Sequence, residues 1–178
     1  GRLAFACQGP RLPPWRRVSA KAALLRGRGD VPGRDRGDRV ARALEMVGLN
    51  GFERSYPRRL SGGMRMRLSL ARALALQPDL FLMDEPFSAL DEITRETMQR
   101  ELLRIWGATG FTAVFVTHNL YEAVFLSRRV VVMSARPGKI QQIFDIPFEY
   151  PRADDLPSDP AFAKLAHEVS DCLREAAG

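Results

Sequence analysis

Two adjacent carboxylates, Asp84 and Glu85, stand where an apolar run ends in the segment LFLMDEP. Side by side at the end of a buried strand, two such groups repel each other and lose hydration unless a cation balances them. A bound Mg²⁺ is one such cation: the first carboxylate helps to hold the metal, and the second can orient and deprotonate an attacking water. The alternative is that the pair simply caps the next turn.

A histidine, His118, follows a second apolar run in the segment FVTHN. A histidine in such a place often has only a structural role. If both runs are parallel strands, however, His118 leaves the sheet at the same edge as Asp84 and Glu85, where it can donate a hydrogen bond to a terminal phosphate oxygen. The other histidine, His167, lies in a helical pattern and is interpreted as structural.

Ser61, Gly62 and Gly63 precede a run with helical periodicity, in the segment LSGGMRMRLSLARA. At the start of a helix, unpaired backbone N–H groups and the positive end of the helix dipole point outward, and glycines leave no side chain in the way. Phosphate suits such a site. The alternative is an ordinary N-cap followed by a flexible turn.

Short β-rich runs and helical patterns alternate around these residues. The runs LFLM (80–83), AVFVT (113–117) and VVVM (130–133) lack polar alternation, which predicts strands buried on both faces of a parallel sheet. Ligands of parallel α/β sheets sit beyond the carboxyl ends of the strands. The residues that follow each strand are therefore the ones expected at the site.

Start and stop signals predict the ends of the helices. Asp38 is expected to cap the first clear helix and Gly48 to end it. A later helix is expected to close at Gly107, and the last one to begin with Asp159 at its cap. The residues predicted to face inward include Val40, Ala43, Leu44, Val47, Met64, Leu68, Ala71, Ala75, Ile93, Met98, Leu102, Ile105, Phe162, Leu165, Val169 and Leu173.

Composition fits one globular domain: the chain has 178 residues, 46% of them hydrophobic. No apolar run approaches the ~20 residues of a membrane helix, and no signal peptide is recognisable. The two cysteines lack metal-type spacing, which favours a reducing, cytosolic compartment. Residues 1–37 are predicted to be loops around one short helix near residues 20–26. The net charge of +6 comes almost wholly from arginine, which suggests an anionic partner or a solvated surface.

Four motifs occur in a characteristic order: LSGGM (60–64), DEP (84–86), SALD (88–91) and then His118. In this order they closely resemble the nucleotide-binding subunit of ATP-binding cassette (ABC) transporters. The resemblance covers nearly all of the chain. Within the family, the segments at residues 57–96 and 134–138 (SARPG) most resemble the importer branch for nitrate, sulfonates, taurine and related small solutes.

The resemblance implies an α/β fold, namely a partial P-loop NTPase (RecA-like) parallel sheet with an inserted helical subdomain that carries the signature motif. Residues 9–76 then hold the Q-loop and the helical signature subdomain. Residues 77–150 hold the core with the Walker B, D-loop and H-loop motifs. Residues 151–178 form a C-terminal extension with a helix.

The resemblance also assigns roles around one nucleotide. Gln8 is similar to the Q-loop glutamine that contacts Mg²⁺ and the water. Asp84 resembles the metal-holding aspartate, Glu85 the catalytic glutamate and His118 the switch histidine. ATP and Mg²⁺ are the implied cofactors.

The remaining motifs resemble parts that reach a partner subunit. Ser61, Gly62 and Gly63 match the signature motif, which in the family closes over the nucleotide of the opposite subunit in a head-to-tail dimer. Asp91 ends the segment that looks like the D-loop, which crosses the dimer interface. These residues are therefore expected to contact ATP across the interface.

One family motif has no counterpart in the sequence: GxxxxGK[ST], the loop whose backbone amides and lysine hold the phosphates, does not occur. In the family this loop lies upstream of the Q-loop. We therefore expect that the sequence begins partway through a cassette and is inactive alone.

The resemblance implies the ATP-hydrolysing subunit of an importer for a small solute such as nitrate, a sulfonate or taurine. Its implied partners are a second ATPase subunit, transmembrane permease subunits and, indirectly, a solute-binding protein, but no nucleic acid. The implied location is the cytoplasmic face of the bacterial inner membrane. Two alternatives stay open: a module without hydrolysis that lends its signature motif in trans, and a nucleic-acid-processing relative, which the arginine excess favours and the short spacing from LSGGM to DEP opposes.

Overall fold

The computed structural model describes residues 2–7, 33–78 and 80–177. The chain divides into two compact units. The sheet unit combines residues 1–10, 80–88 and 110–178, and the helical unit combines residues 11–79 and 89–109. Gln8 and the short helix predicted near residues 20–26 lie outside the described residues.

The sheet unit is built on five described strands. They are β1 (Arg2–Cys7), β2 (Leu80–Asp84), β3 (Thr112–Thr117), β4 (Arg129–Met133) and β5 (Ile140–Asp145). Their order in the sheet is β2-β3-β1-β4-β5. The strands predicted from LFLM, AVFVT and VVVM are confirmed as β2, β3 and β4. β1 forms where the sequence predicted a loop, because it pairs with β3 and β4, which lie more than a hundred residues later in the sequence.

The three predicted strands run in one direction. β2 pairs in parallel with β3, and β1 lies antiparallel between β3 and β4. β5 is antiparallel to β4. The carboxyl ends of β2 and β3 therefore lie at the same edge of the sheet. Burial on both faces, however, is a wrong prediction: burial alternates along β4, and Leu82 of β2 is 40% exposed. A continuous apolar run does not reveal which of its two faces other elements cover.

Five described helices accompany the strands. The helical unit holds α1 (Gly33–Met46), α2 (Gly62–Leu74) and α3 (Glu92–Thr109), and the sheet unit holds α4 (Leu120–Leu126) and α5 (Pro160–Ala177). Short 3-10 turns occur at Pro57–Arg59 and Leu156–Ser158. Among the described residues, no helix combines the length and the apolar character that crossing a bilayer requires.

The core of the helical unit lies where its helices meet. α1 packs on α2, and α2 packs on α3. The buried apolar residues of this unit are Ala43, Leu44, Val47, Leu49, Leu60, Leu70, Ala71, Leu74, Met98, Leu102 and Ile105. Most of the α1 and α3 positions predicted to face inward are confirmed, but Val40 and Ile93 are 51% and 80% exposed.

Two predicted helix ends are wrong. α1 begins at Gly33, so Asp38 lies inside the helix instead of capping it. α3 continues through Gly107 to Thr109, and Gly110 follows it with a φ of +67°. A glycine inside a helix costs only about 1 kcal/mol, which buried residues such as Ile105 offset. The predicted end at Gly48 is confirmed, because this residue follows α1 with a φ of +64°, the conformation that glycine adopts most readily.

The last helix agrees with its prediction. α5 begins at Pro160, and the side chain of Asp159 accepts a hydrogen bond from the Ala161 N–H at 2.7 Å. Phe162 and Val169 are fully buried. α5 packs on α4 and β4, so the C-terminal segment is part of the core of the sheet unit.

Candidate active site

The sheet brings three predicted site residues together at one edge. Asp84 ends β2, Glu85 follows it, and His118 follows β3. Because β2 and β3 are parallel neighbours, the Nδ1 atom of His118 comes within 3.2 Å of the Glu85 Oε1 atom. We call Asp84, Glu85 and His118 the carboxylate edge.

The backbone of Glu85 is held in an unusual conformation. Its φ is +45°, which is rare for a residue other than glycine and costs on the order of 1 kcal/mol. The Glu85 N–H donates to the Val116 carbonyl at 2.7 Å, and the Glu85 carbonyl accepts from the Ser88 hydroxyl at 2.9 Å. These bonds hold the backbone in place, so the carboxylate has a defined direction.

A buried ring anchors the turn that follows. Phe87 is only 2% exposed, and its ring centroid lies 5.6 Å from that of Phe115 on β3. The side chain of Glu85 is 35% exposed and that of His118 is 68% exposed. A packed base therefore presents both polar groups to solvent, where a ligand can reach them.

Asp84 presents a carboxylate at the carboxyl end of β2. It is exposed, and within the described residues its carboxylate takes part in no hydrogen bond or ion pair. No group of three or more metal-binding side chains occurs in the described part of the chain. A single exposed carboxylate is compatible with Mg²⁺, which is usually bound by one or two carboxylates together with phosphate oxygens and water.

His118 is oriented by the start of α4. The next residue, Asn119, caps this helix: its side-chain oxygen accepts from the Glu122 N–H at 3.0 Å. The Asn119 N–H in turn donates to the Thr117 hydroxyl at 3.0 Å. His118 thus lies between a strand end and a helix cap, both of which restrict its backbone.

In the helical unit, Ser61 begins α2 as its N-cap. Its hydroxyl accepts from the Met64 N–H at 3.2 Å. Ser61 and Gly62 are exposed, and Gly63 is half-buried. We call these three residues the signature turn. The predicted helix start is confirmed, and its first backbone groups are accessible from outside.

The two glycines of the signature turn differ in their surroundings. A Cβ atom added at Gly63 lies 3.1 Å from the Thr94 methyl, whereas one added at Gly62 lies 3.7 Å from the nearest atom, a methyl of Leu90. The first distance is too short for a normal contact, and the second is ordinary. A side chain at position 63 therefore forces the Thr94 methyl to shift slightly, while the described residues leave room for a side chain at position 62.

Asp91 caps α3 in the helical unit. Its carboxylate accepts from the Thr94 N–H at 2.9 Å. Hydrogen bonds from the backbone and the side chain of Thr94 lower the pKa of Asp91 below its ordinary value. Thr94 thus contacts both Asp91 and Gly63. Sequence reasoning missed Thr94, although an aspartate three residues before it, at a helix start, is a capping signal.

The chain is similar in sequence to known ATP-binding proteins. A family model described as "ABC transporter" matches residues 1–88. The taurine import ATP-binding protein TauB of Rhizobium johnstonii is 44% identical over 163 residues, which are 89% of this chain and 62% of that protein. The aliphatic sulfonates import ATP-binding protein SsuB of Bacillus cereus is 44% identical over 156 residues, which are 86% of this chain and 60% of that protein. The chain thus spans less than two thirds of these relatives.

A solved structure also matches. The dimeric structure of MJ0796, described as a bacterial ABC transporter cassette, aligns with a TM-score of 0.53 and 30% identity over 72% of this chain and 55% of that one. Another structure of the same cassette, in a post-hydrolysis state bound to ADP and Pi, aligns with the same TM-score.

Proposed function

Because this chain belongs to the ABC transporter family of ATP-binding proteins, we propose that it is part of an importer's ATP-hydrolysing subunit. The observation that carries the proposal is the carboxylate edge: the His118 Nδ1 atom lies 3.2 Å from Glu85 Oε1, and the exposed Asp84 directly precedes Glu85. The names of the two import relatives support uptake of taurine or another small sulfonate. They also favour transport over nucleic-acid processing.

Each residue of the carboxylate edge has a distinct task. Asp84 contributes a ligand to Mg²⁺, which neutralises charge on the phosphates when it is bound. Glu85 orients a water and receives its proton. A neutral imidazole has a single N–H, so His118 donates either to Glu85 or to a terminal phosphate oxygen. When His118 turns to the phosphate, the Glu85 carboxylate is released to act on the water.

The signature turn serves a second nucleotide. Its accessible backbone N–H groups suit a phosphate, and Gly62 leaves the approach open. Within a head-to-tail dimer, these groups contact the ATP held by the other subunit, and Asp91 lies at the same interface. Gln8, which lies outside the described residues, is the proposed further contact to Mg²⁺. Permease subunits at the cytoplasmic face of the membrane, and indirectly a solute-binding protein, complete the proposed assembly.

The sequence contains no GxxxxGK[ST]. The test therefore uses a completed cassette, in which the phosphate-loop segment of another family member precedes the chain. Replacing Glu85 by Gln in this protein is expected to lower ATP turnover by roughly 10²–10⁴-fold, because the amide cannot accept the proton of the water. Binding of labelled ATP is expected to persist.

The matched control is Glu92→Gln, which alters an exposed carboxylate of α3 that pairs with Arg95. This variant is expected to retain full turnover. Unchanged turnover in Glu85→Gln contradicts the proposed role of Glu85. A completed cassette that binds ATP but never hydrolyses it favours the other candidate, a module that only lends its exposed signature turn in trans.

A further inference from the structure

The C-terminal end of α4 is held by a segment about 25 residues further along the chain. The Arg152 Nε–H donates to the Phe125 carbonyl at 3.1 Å, and an Nη2–H of the same guanidinium donates to the Ser127 carbonyl at 2.7 Å. The Tyr150 hydroxyl donates to the Leu126 carbonyl at 2.8 Å. Three successive carbonyl groups, which a helix end normally leaves without partners, are thus bound by two side chains.

Arg152 is itself fixed on several sides. The residue is only 8% exposed, and its guanidinium carbon lies 3.9 Å from the centre of the Tyr150 ring. A further N–H donates to the Phe148 carbonyl. A buried guanidinium is stabilised by such a set of oxygen acceptors and by the negative end of the helix dipole. The planar group matches several carbonyls at once, which the point charge of a lysine cannot do.

α4 connects this contact directly to the carboxylate edge. The helix has only seven residues, so its ends are roughly 10 Å apart at about 1.5 Å per residue. Its first residue follows His118 and the capping Asn119. The middle of the helix is inaccessible to solvent, since Ala123 and Val124 are fully buried. We therefore expect a shift at the C-terminal end to displace the other end as well, because so short a helix has few residues over which to bend.

We propose that Arg152, assisted by Tyr150, is a positioning residue that sets the location of His118 against Glu85 through α4. The importance of that location rests on the function proposed above, whereas the contact itself is a property of the fold. Arg152 touches neither member of the pair and acts on them only through the helix. The segment that contains Tyr150 and Arg152 thus helps to position a residue of the site without contacting it.

Nuclear magnetic resonance of the 178-residue chain tests the proposal without nucleotide. The chain has two histidines, so each imidazole gives a separate carbon-bound proton signal. His118 lies near Glu85, and His167 lies 3.7 Å from Asp171 on α5 as an internal reference. The displacement of the His118 signal by Glu85→Gln, measured at one pH, reports the contact between the two side chains.

The same displacement is then measured in Arg152→Lys and Tyr150→Phe backgrounds. Arg152→Lys keeps the charge but loses the planar fork, and it is expected to remove most of the displacement. Tyr150→Phe loses only the hydroxyl that donates to the Leu126 carbonyl, so it is expected to fold and to remove a smaller part of the displacement. The His167 signal is expected to stay in place in every variant, which verifies that the fold is retained.

Arg128→Lys is the matched control, because Arg128 also lies over the Tyr150 ring, at 5.4 Å, but is exposed. It is expected to leave the displacement unchanged. The proposal is overturned if Tyr150→Phe and Arg152→Lys both retain the full displacement, or if Glu85→Gln never moves the His118 signal. Loss of ATP turnover plays no part in this test, so failure of the proposed function remains a separate result.

Discussion

The carboxylate edge and the signature turn both expose polar groups at the end of an element, but they are held in different ways. At the carboxylate edge, Glu85 depends on Val116 and Phe87 on Phe115, about thirty residues away in sequence. At the signature turn, the Ser61 hydroxyl and the Met64 N–H are three residues apart. One region is held by distant partners and the other chiefly by its own helix.

The two regions are therefore expected to be sensitive to substitutions at different kinds of position. A strained backbone such as that of Glu85 persists only while its surroundings hold it, so damage to those surroundings reaches the carboxylate. A capped helix start makes its first hydrogen bond within its own turn, so its local geometry depends on distant residues at few points. In the signature turn, the short distance between Gly63 and Thr94 is such a point.

Removing the ring of Phe87 is expected to have the largest effect. Phe87→Ala should lower the free energy of unfolding by roughly 3–5 kcal/mol, because a fully packed aromatic side chain leaves a cavity. Urea unfolding of the chain measures the loss. Phe52→Ala, at a phenylalanine of the helical unit that is 45% exposed, serves as control and should cost about 1 kcal/mol. Equal losses at the two positions would contradict this contrast.

Replacing each glycine of the signature turn by alanine tests how far this region depends on a distant residue, Thr94. Gly63→Ala is expected to lower the unfolding free energy by about 1 kcal/mol, because the new Cβ meets the Thr94 methyl at 3.1 Å. Gly62→Ala is expected to have no such cost, since its nearest contact is 3.7 Å. Thermal unfolding of both variants tests this order.

Thr94→Ser provides the rescue, since it removes the methyl and keeps the hydroxyl. Combined with Gly63→Ala, it should recover most of the lost stability. If the double variant is no more stable than Gly63→Ala, the close approach to Thr94 is not the cause.

In the completed cassette, Gly62→Ala is expected to lower turnover without lowering stability, because its methyl obstructs the approach of the other subunit's nucleotide.

The smallest expected effect concerns Asp91 and pH. Hydrogen bonds from Thr94 lower the pKa of Asp91 in the folded chain. The stabilisation is therefore fully present above the ordinary aspartate pKa and is lost as the pH falls through the lowered value. Melting temperatures of the unaltered chain and of Asp91→Asn should differ at neutral pH and converge in acid. A difference that grows as the pH falls would exclude this cap as its cause.

Local patterns predicted the strands β2, β3 and β4, the end of α1 at Gly48 and the starts of α2 and α5. The predictions failed where packing or pairing with residues far away in sequence outweighed a local helix or loop signal. Asp38 can cap a helix, but α1 begins five residues before it. Gly107 can end a helix, but α3 continues to Thr109, because buried residues such as Ile105 stabilise it, and Gly110 follows its end. β1 was missed because its hydrogen bonds go to β3 and β4, so the pairing leaves no trace near Arg2–Cys7.

Residue types and their order were enough to recognise the family and to name Asp84, Glu85, His118 and the signature turn, because capping, strand composition and motif spacing act over short stretches of chain. Only the tertiary structure revealed three further features: the contact of His118 with Glu85, the limited space between Gly63 and the Thr94 methyl, and the hydrogen bonds of Arg152 to the end of α4. Each of these joins residues that lie 25 or more positions apart, and packing alone brings such residues into contact.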